Sequence, residues 1–215
     1  DPRWVHRVGD IPLDQAALIE PLAVAYHAAE RSGVGSGATA LVAGAGPVGL
    51  LLAAVLKGIG VKTIVSEVSA ARLAQAGELA DHVLNPTEVD VADRVRELTD
   101  GVGVDVAFEC AGVNAVLDTV LDAVRPAGVV VNVSIWGSHA SVDMQKIVLK
   151  EIDLRGTFAY VDNHAAVIAL VQDGKIDLAP FITKKIALED LVDHGLNTLI
   201  NDAESSIKIL VSPTL

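Results

Sequence analysis

The feature that most constrains this fold is a glycine-rich turn between a short apolar run and a long apolar segment. Residues 39–43 form the apolar run, and Gly44, Gly46 and Gly49 follow it in Gly-x-Gly-x-x-Gly spacing. A Leu/Ala/Val segment of helical length comes next, and Glu67 ends the second apolar run, 23 positions after Gly44. Strand, tight turn, helix, strand and acid, in this order, are the parts that hold a dinucleotide.

Each position of the turn has a physical role. Gly44 permits the tight turn, and Gly46 has no Cβ to block a pyrophosphate that approaches the backbone. Gly49 lets the helix pack closely on the strand. Pro47 and Val48 begin the helix, whose first N–H groups and dipole favour a phosphate. A glycine turn of some other α/β protein is the alternative interpretation, which the order of the elements disfavours.

The acid at the end of the second strand favours NAD over NADP. A carboxylate at Glu67 accepts hydrogen bonds from the adenosine ribose hydroxyls and repels the additional phosphate of NADP. Arg72, five residues further on, is a candidate to cover the adenine or, as the less favoured alternative, to bind that phosphate. A solvated charge on a helix surface is its other interpretation. NADP is therefore disfavoured rather than excluded.

Alternating strands and helices predict an α/β fold with a doubly wound parallel sheet, the Rossmann fold. The chain has 215 residues, 51% hydrophobic and 3% aromatic, which is typical of Val/Leu/Ile/Ala strands buried on both faces. The predicted strands are 39–44, 62–67, 82–84, 104–109, 128–134 and 153–160. The predicted helices are 21–32, 46–59, 70–79, 91–99, 113–124 and 145–151. Asp90 and Asn114 are the candidate helix-start residues.

The last forty residues predict a hairpin-like β-α-β appendage. Its strands are Ile182 to Ile186 and Ile207 to Ser212, with a helix at about 188–200 between them. Because isolated strands need partners, we expect this piece to belong to another layer.

Charge and cysteine content argue against several classes of partner and of metal site. A net charge of −12 disfavours nucleic acid and anionic membranes. No apolar run reaches about 18 residues and no signal peptide opens the chain, so no membrane span is expected. The single cysteine, Cys110, fits a reducing compartment, and we expect a cytoplasmic protein. It also excludes a Cys-rich zinc lobe within these residues.

Seven short stretches carry a resemblance to one family. They are ALIEPLAV at 17–24, AGAGPVG at 43–49, FECAG at 108–112, NVSIWG at 132–137, LKE at 149–151, GKI at 174–176 and FIT at 181–183. With these stretches the chain, from about Pro12 to Pro213, resembles the coenzyme-binding portion of the zinc-dependent medium-chain alcohol dehydrogenases. Within that group it is most similar to butanediol dehydrogenases, then to sorbitol and threonine dehydrogenases.

The resemblance implies NAD-dependent, zinc-assisted hydride transfer with a secondary alcohol, diol or hydroxyketone as the small-molecule substrate. The family's Cys and His–Glu zinc ligands precede this region, so no catalytic residue is expected within the chain, which should bind NAD(H) without turnover. The implied segments are 1–20 as a connector from a catalytic domain, 21–175 as the NAD-binding domain, and 176–215 as a return to the catalytic domain.

Further site residues follow from the resemblance. Glu20 matches a position that reaches the catalytic zinc or its bound water in the intact protein; stabilising the helix start beside Pro21 is the interpretation for this chain alone. The remaining implied coenzyme contacts are Cys110, Ala111, Val133, Ser134, Trp136 and Phe158.

Two of those residues have competing interpretations: Cys110 as a small buried hydrophobe, and Trp136 as packing at an oligomer contact. The six histidines show no metal-ligand spacing, and His139 alone is a candidate to line the cleft.

The strand at 152–160 resembles the edge at which the family dimerises, so we expect a homodimer or homotetramer. A Rossmann domain that senses NAD(H) without chemistry is the alternative function.

Overall fold

A computed structural model describes residues 2–202, 204 and 206–214 of the chain. Asp1, Ala203, Ser205 and Leu215, which belong to the two predicted terminal segments, lie outside the described residues. Six strands form one parallel sheet in the order β3-β2-β1-β4-β5-β6. They are β1 (Thr39–Ala43), β2 (Lys62–Ser66), β3 (His82–Leu84), β4 (Val104–Glu109), β5 (Val124–Asn132) and β6 (Asp153–Gly156). The predicted doubly wound parallel sheet is thereby confirmed.

Helices cover both faces of this sheet. The α-helices are α1 (Leu13–Ala16), α2 (Ile19–Ser32), α3 (Pro47–Gly58), α4 (Ala70–Gly77), α5 (Val91–Leu98), α6 (Asn114–Ala123), α7 (Met144–Lys150), α8 (His164–Gln172) and α9 (Asn197–Asn201). One layer contains α2 packed between α3 and α8, and the other contains α5, α6 and α7. A short 3₁₀ turn also lies at Pro2–Trp4.

The core follows from alternation along the strands, because successive side chains of a strand point to opposite faces. One row crosses four strands in register and faces the α2–α3 layer; it consists of Val65, Val42, Phe108 and Val131. The next row faces the opposite layer and consists of Ile64, Leu41, Ala107 and Val130. All eight side chains are fully buried. Apolar residues on both faces explain why the strands show no polar alternation.

Several local predictions are corrected. Helix α8 was not predicted, because its sequence HAAVIALVQ is apolar almost throughout and shows no helical period. Strand β5 begins at Val124, earlier than predicted, and β6 ends at Gly156 rather than at 160. Asp90 caps α5 by accepting a 2.8 Å hydrogen bond from the Asp93 N–H, as predicted. Asn114 is the first residue of α6, as predicted for a helix start, and its side-chain oxygen accepts from the Ser141 N–H at 2.8 Å.

The C-terminal segment forms the predicted β-α-β appendage. Strands β7 (Ile182–Ala187) and β8 (Lys208–Ser212) make a separate two-stranded sheet, and they run parallel rather than as a hairpin. A 3₁₀ turn at Ala179–Phe181 precedes β7; a 3₁₀ turn at Leu188–Asp190, a π-helical turn at Leu191–Leu196 and α9 connect the strands. That connection exposes five large apolar side chains: Leu188, Val192, Leu196, Leu199 and Ile200. Within the described residues, no helix is long and apolar enough to cross a membrane.

Candidate dinucleotide-binding site

The glycine turn lies at the carboxyl end of β1, where steric contacts require glycine at two positions. A Cβ on Gly49 would lie 2.0 Å from the carbonyl oxygen of Gly44, so only glycine lets α3 approach the turn this closely. Gly44 has a φ of +108°, and a Cβ there would meet the backbone of Cys110 at 3.1 Å. These contacts agree with the roles that the sequence predicts for both residues.

Gly46 differs from its neighbours because the space beside it is open. Its φ is −66°, and apart from its two chain neighbours no described residue has an atom within 4 Å of the position that a Cβ would take. Gly46 is the N-cap of α3, Pro47 is the first helical residue and Val48 follows it. The open space therefore adjoins the N-terminus of a twelve-residue helix, whose free N–H groups and dipole attract an anion. A pyrophosphate fits this arrangement.

Glu67 follows the last residue of β2 and binds the turn directly. Its Oε2 accepts a 2.7 Å hydrogen bond from the Ala45 N–H, and its Oε1 accepts from the Val68 and Ser69 N–H groups at 2.9 and 3.0 Å. The side chain is buried, with 8% of its surface exposed. Because a carboxylate offers about four acceptor positions, one remains for a ligand hydroxyl. Arg72, five residues after Glu67, lies in the first turn of α4.

Two clefts flank the turn at the carboxyl ends of the strands. The smaller, of about 160 Å³, lies beside β1 and β2 and is lined by Gly44, Glu67, Pro86 and Ala111, among others. The larger, of about 410 Å³, lies beside β4, β5 and the residues after β6. Its lining includes five predicted site residues: Val48, Cys110, Val133, Ser134 and Phe158. A ligand that spans both clefts must cross the glycine turn, at the point where the strand order reverses.

Glu109 is a site residue that sequence reasoning missed. It ends β4, is fully buried, and its Oε1 accepts hydrogen bonds from the Ala111 and Gly112 N–H groups at 2.9 and 2.7 Å. The Ser134 hydroxyl donates to its Oε2. The carboxylate thus joins the loop after β4 to the loop after β5. The available signal was an acid at the end of a buried strand, as at Glu67.

Cys110 and Trp136 occupy different environments. Cys110 lines the larger cleft, and burial together with the negative charge of Glu109 raises the pKa of its thiol. The raised pKa favours the neutral thiol, which agrees with the interpretation of Cys110 as a small hydrophobe. The Trp136 indole N–H donates to the Asn132 side-chain oxygen at 2.7 Å, and its ring packs on the core cluster beneath α6. Trp136 thus packs on this chain's own core and is not among the residues that line the larger cleft. His139 is exposed.

The described residues do not by themselves form a zinc site, because no group of three His, Cys, Asp or Glu side chains among them is placed to hold a metal. Glu20 is exposed and lies in the first turn of α2, which begins at Ile19, two residues before Pro21. Its carboxylate is therefore near the positive end of the helix dipole, as expected for this chain alone. The helix nevertheless starts earlier than predicted, so Pro21 is its third residue.

Comparisons with known proteins agree with this geometry. Residues 47–173 match the family described as zinc-binding dehydrogenase. The (R,R)-butanediol dehydrogenase of Neisseria gonorrhoeae is 56% identical over 216 residues, which cover 99% of this chain and 61% of that protein. The crystal structure of 2R,3R-butanediol dehydrogenase from Bacillus subtilis superposes with a TM-score of 0.91 at 38% identity, covering 96% of this chain and 59% of that one.

A further solved structure bears on the cofactor. A zinc-binding dehydrogenase of Sinorhizobium meliloti, described as bound to NADP, has a TM-score of 0.84 at 28% identity and covers 94% of this chain and 61% of its own. The chain thus spans about three fifths of the length of these relatives. Relatives that are dehydrogenases disfavour the alternative of a sensing domain without chemistry.

Proposed function

This chain belongs to the zinc-binding dehydrogenase family, and from that premise we propose that it is the coenzyme-binding portion of an NAD-dependent alcohol dehydrogenase. The intact enzyme would transfer hydride between NAD and a secondary alcohol or vicinal diol, with 2,3-butanediol as the first substrate to test. The butanediol dehydrogenases among its relatives motivate that substrate class.

The observation that carries the proposal is the open space at Gly46 between two clefts. An anion at the N-terminus of α3 would accept hydrogen bonds from the free N–H groups of the first helical turn. The smaller cleft, with Glu67 in its wall, suits an adenosine. The larger and mostly apolar cleft, with Cys110 and Ser134 in its wall, suits a nicotinamide ring. A dinucleotide is the ligand class that needs all three parts.

Glu67 supports NAD rather than NADP. Three backbone N–H groups donate hydrogen bonds to its buried carboxylate and fix the side-chain rotamer, which keeps the negative charge beside the ligand. One acceptor position remains for a ribose hydroxyl, whereas a phosphate at the same place would meet a like charge in a partly dry cleft. Arg72 remains a candidate for covering the adenine.

The chemistry would be divided between this chain and the rest of the intact enzyme. Residues of this chain would bind the coenzyme, orient its ring and exclude water from one side of it. Zinc would need ligands from outside the described residues, because a catalytic zinc takes about three protein ligands and Glu20 supplies at most one. Residues 1–20 and 176–215 would belong to the part that contacts the catalytic domain, and the exposed apolar side chains between β7 and β8 support this division.

Self-association is part of the proposal. Strand β6 lies at the edge of the sheet and exposes Leu154, and the adjacent helix α7 exposes Met144, Val148 and Leu149. Pairing of two β6 edges about a two-fold axis would cover both features and produce a homodimer or homotetramer. The intact enzyme would be cytoplasmic. A strictly monomeric species in light scattering at high protein concentration would contradict the oligomer.

The test is titration calorimetry of the purified 215-residue chain with NAD⁺, NADH and NADP⁺, followed by a turnover assay with 2,3-butanediol. We expect NAD⁺ and NADH to bind, NADP⁺ to bind more weakly, and no diol oxidation to occur. Absence of NADH binding at millimolar concentration would refute the coenzyme site. Diol oxidation by the chain alone would refute the division of chemistry between this chain and the rest of the enzyme.

A further inference from the structure

A fully buried carboxylate lies next to the cleft proposed for the nicotinamide ring. Glu109 has no exposed surface, and its neighbours in sequence and space, Cys110 and Ser134, line the larger cleft. Three donors surround the carboxylate: the Ala111 N–H, the Gly112 N–H and the Ser134 hydroxyl. Glu109 therefore needs no ligand to satisfy its hydrogen bonds, and any role toward a ligand must come from its position or its charge.

The negative charge at Glu109 is not neutralised by a cation. Among the described residues, all the hydrogen bonds to its carboxylate come from backbone N–H groups and a hydroxyl, and none comes from Lys, Arg or His. Hydrogen bonds of this kind stabilise a carboxylate without cancelling its field. Cys110, the neighbour of Glu109 in sequence, and Ser134, its hydrogen-bond partner, both line the cleft, so the charge lies directly behind the cleft wall. Burial and this charge together raise the pKa of the Cys110 thiol.

The two redox forms of the proposed coenzyme differ in charge only at the nicotinamide ring. The ring carries a positive charge in NAD⁺ and none in NADH, whereas the adenosine and pyrophosphate are the same in both. A fixed negative charge beside a mostly apolar cleft acts at a low effective dielectric constant, and it stabilises the cationic ring selectively.

We infer that Glu109 is a positioning residue that joins the loops after β4 and β5, and that its charge shifts coenzyme preference from NADH toward NAD⁺. This inference rests on the proposed function. It concerns the ratio of the affinities for NAD⁺ and NADH. Binding measurements give that ratio, so no turnover is needed to test it.

The test compares the dissociation constants of NAD⁺, NADH and ADP-ribose, which lacks the nicotinamide ring, for the wild type and Glu109→Gln. Glutamine keeps the shape of the side chain: its oxygen can accept from the Ala111 and Gly112 N–H groups, and its amide can donate to the Ser134 hydroxyl. We expect the preference for NAD⁺ over NADH to fall about tenfold, the order expected for one unit charge across a partly dry cleft. ADP-ribose affinity should change less than about twofold.

Asp105→Asn is the matched control. Asp105 lies at the opposite end of the same strand, where its carboxylate binds the Thr39 N–H and Arg125. This variant also removes one negative charge, and the ratio of NAD⁺ to NADH affinity should not change. Glu109→Gln would overturn the inference if the ratio stays within about twofold of the wild type, or if ADP-ribose weakens in parallel with both coenzymes.

Ser134→Ala keeps the inference testable if Glu109→Gln does not fold. It removes one hydrogen bond to the carboxylate but leaves the charge, so the preference for NAD⁺ should be kept or increased. Loss of that preference in Ser134→Ala would assign it to the hydroxyl and overturn the role of Glu109. A wild type that binds neither NADH nor ADP-ribose would refute the proposed function, whereas intact binding with an unchanged ratio would refute only this inference.

Discussion

Two alanine substitutions in the glycine turn should separate folding from coenzyme binding. Gly46→Ala places a methyl group in open space, with no atom within 4 Å from any described residue other than its two chain neighbours, and its φ of −66° is accessible to alanine. Gly49→Ala places the same methyl group 2.0 Å from the Gly44 carbonyl oxygen. The two variants differ by three positions and are identical in chemistry, so each serves as the control for the other.

The expected magnitudes differ clearly. For Gly49→Ala, α3 or the turn must move by about 1 Å. Overpacking of this kind lowers the free energy of unfolding by roughly 3 kcal/mol, the upper end of its usual range. In a chain of this size such a loss lowers the melting temperature by roughly 6–12 °C. For Gly46→Ala, a weaker N-cap and a less flexible unfolded chain offset each other, so stability should stay within about 1 kcal/mol of the wild type.

Gly46→Ala should weaken coenzyme binding although it leaves the stability of the fold nearly unchanged. Its methyl group would occupy the space assigned to the pyrophosphate, and loss of one hydrogen bond to a charged group weakens binding roughly 10- to 100-fold. Urea denaturation followed by circular dichroism gives the stabilities, and titration calorimetry with NADH gives the affinities. A Gly46→Ala variant as unstable as Gly49→Ala, or a Gly49→Ala variant as stable as the wild type, would refute the steric reasoning.

Three further predictions concern single charged or reactive side chains. Glu67→Gln should reduce the preference for NAD⁺ over NADP⁺ about tenfold in titration calorimetry, since the charge that repels the additional phosphate is gone; an unchanged preference would contradict this. Burial of Asp105 alone would raise its pKa, but hydrogen bonds from Thr39 and Arg125 outweigh burial and lower it. Its stabilisation is therefore present above the unfolded pKa and lost as the pH falls through the folded one. Asp105→Asn should cost about 1 kcal/mol in urea denaturation at neutral pH and progressively less below about pH 4; a difference that is constant with pH would refute this. Because burial and Glu109 raise the pKa of the Cys110 thiol, iodoacetamide should alkylate it at pH 8 at least about tenfold more slowly than in the urea-unfolded chain, and equal rates measured by mass spectrometry would contradict this.

Local pattern was sufficient to predict the parts of the fold that depend on local chemistry. The steric roles of Gly44 and Gly49 follow from the properties of glycine at a strand-to-helix turn, and the contacts at both positions agree with them. The order of strands and helices likewise follows from short apolar runs separated by turn residues. Helix α8 was missed because a nearly uniform apolar segment has no period to detect.

The features of the site that were not predicted are contacts between residues far apart in the sequence. Glu109 and Ser134 are 25 positions apart and meet because β4 and β5 pair in register, with Glu109 opposite Asn132. Nothing in the spacing of these residues fixes that register. The hydrogen bond from the Ala45 N–H to Glu67 is similar: the sequence placed an acid at the end of β2 but did not indicate which backbone groups it would bind.

The strand order has a consequence for how the site forms in time. Strands β1 and β4 are neighbours in the sheet, yet their paired residues Val42 and Phe108 are 66 positions apart, with β2 and β3 formed from the chain between them. Closing so long a segment is slow relative to the local pairing of β1 with β2. We therefore expect one cleft wall to form before the other, and coenzyme binding to arise at a late step of refolding, when the two halves of the sheet join.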